Sequence, residues 1–472
     1  MDCWINGKNE AGQGEATTVR APWSGDVIAE YRQASPEQIA RSLDIATTLF
    51  PVFSRSPAYE RRDCLQRVVK ALTEQQELFA HTIAVEAGKP IRDARGEVLR
   101  AIATFQLAVE EAIRFANGEY LSLDHTPMAK GRSAIVRRFP QGVVLGITPF
   151  NFPLNLVAHK VAPSLAIGAP IVLKPAPQTV RTALLLARIV TEAGFPAGAL
   201  QVVPCAGETI EPFVTDERVK HITFTGSALV GWKLKRLTFD RPVTLELGGN
   251  GAVLIDETAD IERTVKRCLI GGYSYAGQVC ISVQRIYVVE SVFARFVELF
   301  KSGVQALQLG DPLNESSDLS CLISESAAIR VESWISEAIN QGAKAVCLGK
   351  RTGNQLLPTF LTHVPETCSL AEEEVFGPVT FANPVSDWND GLDAINYSRY
   401  GLQAGYFTRD MQRVLAAFQR LEVGGVIADD IPTFRSDSTP YGGVKNSGVG
   451  REGVRYAMEE MSEIRVLTLP SP

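Results

Sequence analysis

No apolar run in this chain reaches the roughly 20 consecutive residues that a membrane-spanning helix needs, which sets aside the integral membrane class. Metal-ligand spacing is missing too. The eight cysteines (Cys3, Cys64, Cys205, Cys268, Cys280, Cys321, Cys347 and Cys368) are scattered, with no CxxC and no Cys/His pairing. Neither a metal site nor a disulfide framework is expected, and the pattern suits a reducing compartment. There is no basic excess: 47 Lys and Arg against 53 Asp and Glu give a net charge of −6, which leaves no footprint for nucleic acid or an anionic membrane. The opening residues, Met-Asp-Cys-Trp-Ile-Asn-Gly-Lys, have no charged stretch leading into an apolar core, so no secretory signal is expected and a cytoplasmic location is. Repeats, low-complexity tracts and the GxGxxG dinucleotide fingerprint are absent as well.

What is present is an ordinary globular composition, 45% hydrophobic and 21% charged, in 472 residues. That length exceeds one compact core and suits two or three domains. The segment to about Ile28 is polar, with short strand-like pieces such as Cys3–Ile5. Ser35-Pro36-Glu37-Gln38 marks a helix start, with Ser as cap, Pro at the first helical position and Gln three residues after the cap. Ser56-Pro57 repeats the signal before a run from Tyr59 to Phe79, and a further helix carries Val98, Ile102 and Phe105. These helices read as amphipathic scaffold packed on a sheet.

From Ser133 the pattern turns to strands alternating with helices. Strands are expected at Val143–Ile147, Pro170–Leu173, Leu200–Val203 and Val219–Phe224. After Gly248-Gly249 the alternation restarts with Ala252–Ile255, a helix Ile261–Tyr273 and a strand Arg285–Val289. The rhythm predicts an α/β protein with two doubly wound, mostly parallel sheets, each binding ligand at the carboxyl ends of its strands. The expected seam lies near Gly248. The tail Ile464–Leu469 reads as a strand with no obvious partner in either half.

The stretches that carry chemistry are Gly277-Gln278-Val279-Cys280-Ile281-Ser282, Val243-Thr-Leu-Glu246-Leu247-Gly248-Gly249-Asn250, Thr148-Pro149-Phe150-Asn151-Phe152-Pro153 and Phe224-Thr225-Gly226-Ser227. Taken alone, each has a plain structural reading: an inert buried thiol, a strand-end glutamate, an Asn-Phe-Pro turn and a helix cap. Together they resemble the NAD(P)-dependent aldehyde dehydrogenase superfamily, over almost the whole chain, and within it the enzymes of lactaldehyde and other small polar aldehydes. The resemblance implies a cofactor-binding domain (1–121 and 141–247), a catalytic domain (248–445) and a small β bridging element (122–140 and 456–472) that joins subunits into a homodimer or homotetramer.

It also implies roles. Cys280 is the expected nucleophile, Glu246 the base that activates water, and Asn151 an oxyanion holder together with the Cys280 N–H. Glu246 further favours hydrolysis to a free acid over transfer to coenzyme A. Ile147, Thr148, Pro149, Phe150, Lys174, Pro177, Gly226, Ser227, Leu247, Glu374 and Phe376 are the expected cofactor residues. Pro177 stands where NAD-preferring relatives often carry a glutamate, so NADP is not excluded there, with NAD still the preferred expectation. Phe152, Asn155, His159, Val279, Ile281 and Phe434-Arg435 are expected to line the substrate funnel, with Arg435 facing an anionic or hydroxylated tail. Val279 before the cysteine, where phosphate-binding members place Arg, counts against glyceraldehyde 3-phosphate. Pro440-Tyr441-Gly442-Gly443-Val444-Lys445-Asn446-Ser447-Gly448 resembles the family's Pro-Phe-Gly-Gly-x-Lys-x-Ser-Gly and is read as a structural loop beside the site. A cofactor-independent cysteine esterase or thioesterase, and a non-catalytic structural protein on this fold, are the competing readings.

Overall fold

In the computed structural model, residues 2–470 are described, so Met1 of the expected first domain and residues 471–472 of the expected bridging element lie outside them. Two large sheets organise the chain. The first has eight strands, and its five central ones are parallel, in the spatial order Leu200–Val202, Ile171–Lys174, Val143–Ile147, Val219–Thr225, Val243–Glu246. Val143–Ile147 is the first of these in the chain and sits in the middle, so strand order reverses between it and Val219–Thr225. A doubly wound sheet opens its ligand crevice at that reversal. The second sheet has seven strands. Six are parallel and Lys344–Cys347 is antiparallel at one edge; Val283–Val289 and Gly251–Ile255 lie near its centre, buried on both faces.

Leu247–Asn250 links the sheets directly, from the last residue of Val243–Glu246 into Gly251–Ile255. The chain returns to the first sheet late, when Gly448–Val449 pairs antiparallel with Leu245 and Glu246.

Local signals explain several elements. Helix Pro36–Phe53 begins at the expected capping box, with Gln38 N–H donating to Ser35 Oγ and Ser35 N–H to Gln38 Oε1. The Tyr59–Phe79 run is two helices rather than one, Ala58–Glu74 and Gln76–Ala87, because Gln75 leaves helical geometry between them. Helix Asn155–Ile167 has no counterpart in the sequence reading. Every one of its residues is buried, so it lacks an amphipathic period, and it carries Pro163 in its interior.

The tail finds its partner. Ser462–Pro470 pairs antiparallel with Arg132–Pro140 of the same chain along its full length, and Glu119–Ser122 completes a three-stranded sheet. Its outer strand leaves Ile464, Val466 and Leu467 exposed. Among the described residues no helix is long and apolar enough to cross a membrane, and no group of His, Cys, Asp and Glu is placed to hold a metal ion.

Candidate active site

Cys280 sits where the two sheets face each other, on the loop between helix Ile261–Tyr273 and strand Val283–Val289. Three consecutive residues before it, Tyr275, Ala276 and Gly277, take left-handed backbone with φ of 49°, 52° and 70°. Such a run is costly for side-chain-bearing residues and persists only where packing fixes it. Tyr275 is fixed by its hydroxyl on the Ala87 carbonyl and its N–H on Asp93. At Gly277 a Cβ would come 2.1 Å from the Gly377 carbonyl oxygen, and at Gly249 one would come 2.4 Å from the carbonyl oxygen of Cys280 itself. The glycines of both motifs therefore let backbone close around the cysteine.

The expected chemical residues converge here. Asn151, just past Val143–Ile147, is buried and donates one amide N–H to the Gln278 carbonyl at 3.0 Å, leaving its second N–H. Glu246 ends its strand as a buried carboxyl with no hydrogen-bond partner on either oxygen among the described residues. Burial, and then the nearby Glu452 carboxylate, push Glu246 well above the usual carboxyl range. Burial likewise pushes the Cys280 thiol up to about 11, with Glu374 and Glu246 adding to the rise and Tyr441 and Arg435 opposing it.

On one side of Cys280 lies a groove built largely of backbone. Thr148 N–H bonds the Lys174 carbonyl at 3.1 Å, which aligns the ends of two neighbouring strands. Gly226 N–H bonds the Glu246 carbonyl, and helix Ala228–Leu237 starts after it with Ser227 giving no side-chain cap. Gly231 lets this helix close onto Leu247, which a Cβ would meet at 2.3 Å. Ile147 closes the strand that leads to Thr148, and Pro149 precedes Phe150, whose ring meets Phe376 edge-on at 6.0 Å. Glu374 folds over Gly248 and accepts the Gly249 N–H at 3.2 Å, and burial lifts its carboxyl to about 7. Pro177 opens the short turn after Lys174.

These residues fit a dinucleotide. The Thr148 hydroxyl is buried with no partner, the Lys174 ammonium makes no hydrogen bond or ion pair among the described residues, and the uncapped helix start points its N–H groups at the groove.

On the other side is a cavity of about 280 Å³ with Cys280, Val279, Ile281, Phe152, Asn155, Arg435 and Tyr441 in its wall. Helix Ile91–Ala116 contributes Asp93, Glu97 and Arg100. Glu97 accepts the N–H groups of Leu154 and Asn155 and pairs with Lys89, so it caps the buried helix that carries Asn155. Lys89 in turn lies 3.6 Å from the Phe152 ring centre.

His159, expected on the funnel wall, is not there. It is wholly buried behind Arg435, its Nε2 2.9 Å from Asp437, because the buried helix turns it inward towards the residues after Phe434. Burial, followed by the Arg435 charge, holds its pKa below the usual imidazole value.

Arg435 joins a cluster that the sequence reading largely missed. It is paired with Asp437 at 3.3 Å and with Glu452 at 3.2 Å. Arg100 grips Asp437 through two nitrogens, at 2.6 and 3.1 Å. Lys160 donates to Glu452, Thr223 and Thr225 at 2.7–3.0 Å. Against the upward push of burial, Lys160 draws Glu452 down to about 2. Arg100, Lys160 and Arg435 thus face the carboxylates of Asp437 and Glu452. Tyr441 was also read too blandly, since its hydroxyl lies 3.4 Å from the Cys280 sulfur.

A family model described as the aldehyde dehydrogenase family matches residues 9–467. The chain is 40% identical over 467 residues to 3-sulfolactaldehyde dehydrogenase of Priestia megaterium, covering 99% of this chain and 97% of that protein. It is 38% identical over 473 residues to lactaldehyde dehydrogenase of Methanocaldococcus jannaschii, covering 99% and 98%. Among solved structures, aldehyde dehydrogenase 21 of Physcomitrella patens in complex with the reaction product succinate superposes with a TM-score of 0.97 at 41% identity, covering 100% of this chain and 98% of that one.

Proposed function

Because this chain belongs to the aldehyde dehydrogenase family and oxidises an aldehyde to the acid with NAD(P), we propose that Cys280 is its nucleophile, Asn151 its oxyanion holder and Glu246 its base. The Cys280 thiolate attacks the aldehyde carbon, a C–S bond forms and the carbonyl oxygen takes the negative charge. The free amide N–H of Asn151, with the Cys280 backbone N–H, holds that oxyanion. Bound NAD(P) supplies the hydride acceptor. The acyl group then remains on sulfur until Glu246 takes a proton from water, the water oxygen attacks, the C–S bond breaks and the acid leaves.

Residues 1–121 and 141–247 form the cofactor domain in this reading, and 248–445 the catalytic one. Ile147, Thr148, Pro149, Phe150, Lys174, Gly226, Ser227, Leu247, Glu374 and Phe376 hold the dinucleotide. With Pro177 in place of a carboxylate, that position does not itself repel a 2′-phosphate, so both NAD and NADP are accepted. The exposed apolar edge of Ser462–Pro470 is the contact for a homodimer or homotetramer.

The substrate is a short aldehyde whose far end carries a hydroxyl or an anionic group. One observation carries this: Arg435 lies on the cavity wall with its Nε on Asp437 and one Nη on His159 and Glu452, while its other Nη makes no hydrogen bond among the described residues. The aldehydes after which the similar enzymes are named, one sulfonated and one hydroxylated, agree with it.

The test is NAD(P)H formation on hydroxylated, carboxylated, sulfonated and apolar aldehydes with each cofactor, for wild type, Cys280→Ala and Arg435→Gln. Expected are no turnover in Cys280→Ala and a preference of about tenfold or more for polar-tailed aldehydes, lost in Arg435→Gln through KM. An apolar preference overturns the substrate reading, and cofactor-independent turnover of esters alone overturns the reaction.

A further inference from the structure

We infer that the hydroxyl of Tyr441 donates a hydrogen bond to the sulfur of Cys280 and so stabilises the nucleophile once it is a thiolate, at a position where the family signature carries a phenyl ring. The inference rests on the reading of Cys280 as the nucleophile. Tyr441 Oη lies 3.4 Å from Cys280 Sγ, and no other hydrogen bond reaches that sulfur among the described residues. The tyrosine cannot swing away freely. It is 5% exposed, and its backbone is pinned to Glu452 by a pair of hydrogen bonds, N–H to carbonyl at 2.9 Å and the reverse at 2.7 Å. The Arg435 guanidinium lies over its ring, 3.6 Å from the centre.

The direction of the bond follows from the surroundings. Burial keeps the phenol protonated well past its ordinary range, so the oxygen is a donor when the sulfur is charged. Of the ionisable groups around Cys280, the carboxyls of Glu374 and Glu246 oppose a thiolate and Arg435 favours one from across the tyrosine ring, while Lys89, Arg92, Asp93, Glu97 and Arg100 line the same cavity. A cation on the face of the ring draws electron density from the phenol and strengthens its O–H as a donor. No proton is transferred from Tyr441. The thiol proton leaves to water, and the phenol keeps its own while its O–H points at sulfur. The same bond is available again when the thioester breaks and sulfur departs as a thiolate, so one donor serves both attack and release.

Removing a hydrogen bond to a charged group shifts its titration by about one to two pH units. The experiment is the pH dependence of Cys280 alkylation by iodoacetamide in the full-length protein, read by peptide mass spectrometry, for wild type and Tyr441→Phe. That substitution deletes one oxygen and keeps the ring under Arg435. Expected are a thiolate titration moved up by about one to two pH units, alkylation slowed about tenfold or more below it, and a matching alkaline shift in kcat/KM with aldehyde, at an unchanged Tm. Incorporating 3-fluorotyrosine at 441, whose hydroxyl is the more acidic donor, moves the titration down. Unchanged alkylation profiles in both variants overturn the inference. A wild-type Cys280 that resists alkylation at every pH instead overturns the reading of Cys280 on which it rests, so the two failures are separable.

Discussion

The two sides of Cys280 are built from different materials. Towards the dinucleotide groove the wall is backbone: Gly277, Gly248 and Gly249 admit carbonyls and the Glu374 carboxyl to positions that any Cβ would occupy. Towards the substrate cavity it is side chains, among them Arg435 and Arg100, which are backed by Asp437, Glu452 and Lys160 in a cluster where each is held by at least one other. Backbone shape suits a cofactor that is the same in every turnover, whereas ionic side chains can be exchanged to suit an aldehyde. The two walls should therefore fail differently.

The largest effect is expected on the charged side. Glu452→Ala leaves Lys160 without its carboxylate in a buried site and Arg435 with Asp437 alone, and such a break costs about 3–5 kcal/mol. Urea unfolding should show it as a lower midpoint at unchanged slope. On the backbone side, Gly277→Ala must hold a left-handed φ of 70° against the Gly377 carbonyl, a cost of about 1–3 kcal/mol. Its sharper signature is kinetic: kcat should fall because Cys280 shifts, while iodoacetamide still finds the thiol.

Next comes a pH effect. Cys280 and Glu246 must each lose a proton before acting, and both are held above their ordinary values. Turnover should climb as pH rises through neutrality and drop by up to about tenfold per unit on the acid side. A kcat/KM profile flat from pH 6 to 9 would mean that neither group limits the reaction. The smallest effect belongs to neither wall. Ser35→Ala removes the cap of helix Pro36–Phe53, costs about 1 kcal/mol in urea unfolding and leaves kcat unchanged.

The same contrast decides what could be read from the sequence. The backbone side was legible, because a close backbone approach writes itself as adjacent glycines: Gly248-Gly249 beside Glu246, and Gly277 beside Cys280. Strand Val143–Ile147 and helix Ile261–Tyr273 were legible for a similar local reason, a continuous apolar run and an amphipathic period. The charged side was not. His159, Arg435, Asp437 and Glu452 meet only because a helix buried on every face, Asn155–Ile167, packs against the C-terminal helix Val454–Glu460. A helix buried all round has no polar face to mark its period, so the residue it turns inward, His159, was placed on the wrong wall. The tail strand was legible as a strand, but its pairing with Arg132–Pro140 joins distant parts of the chain and leaves no local trace.

The central claim is that Cys280 and Glu246 divide the reaction into acylation and hydrolysis. It is tested most directly by stopped-flow NAD(P)H absorbance for Glu246→Gln mixed with a good aldehyde and saturating cofactor. The account predicts a burst approaching one equivalent of NAD(P)H per active site, then a steady rate reduced by about 10²- to 10⁴-fold, with the acyl group trapped on Cys280 and visible as an added mass. A variant that shows no burst, or that turns over at the wild-type rate, would contradict the division of labour between the two residues.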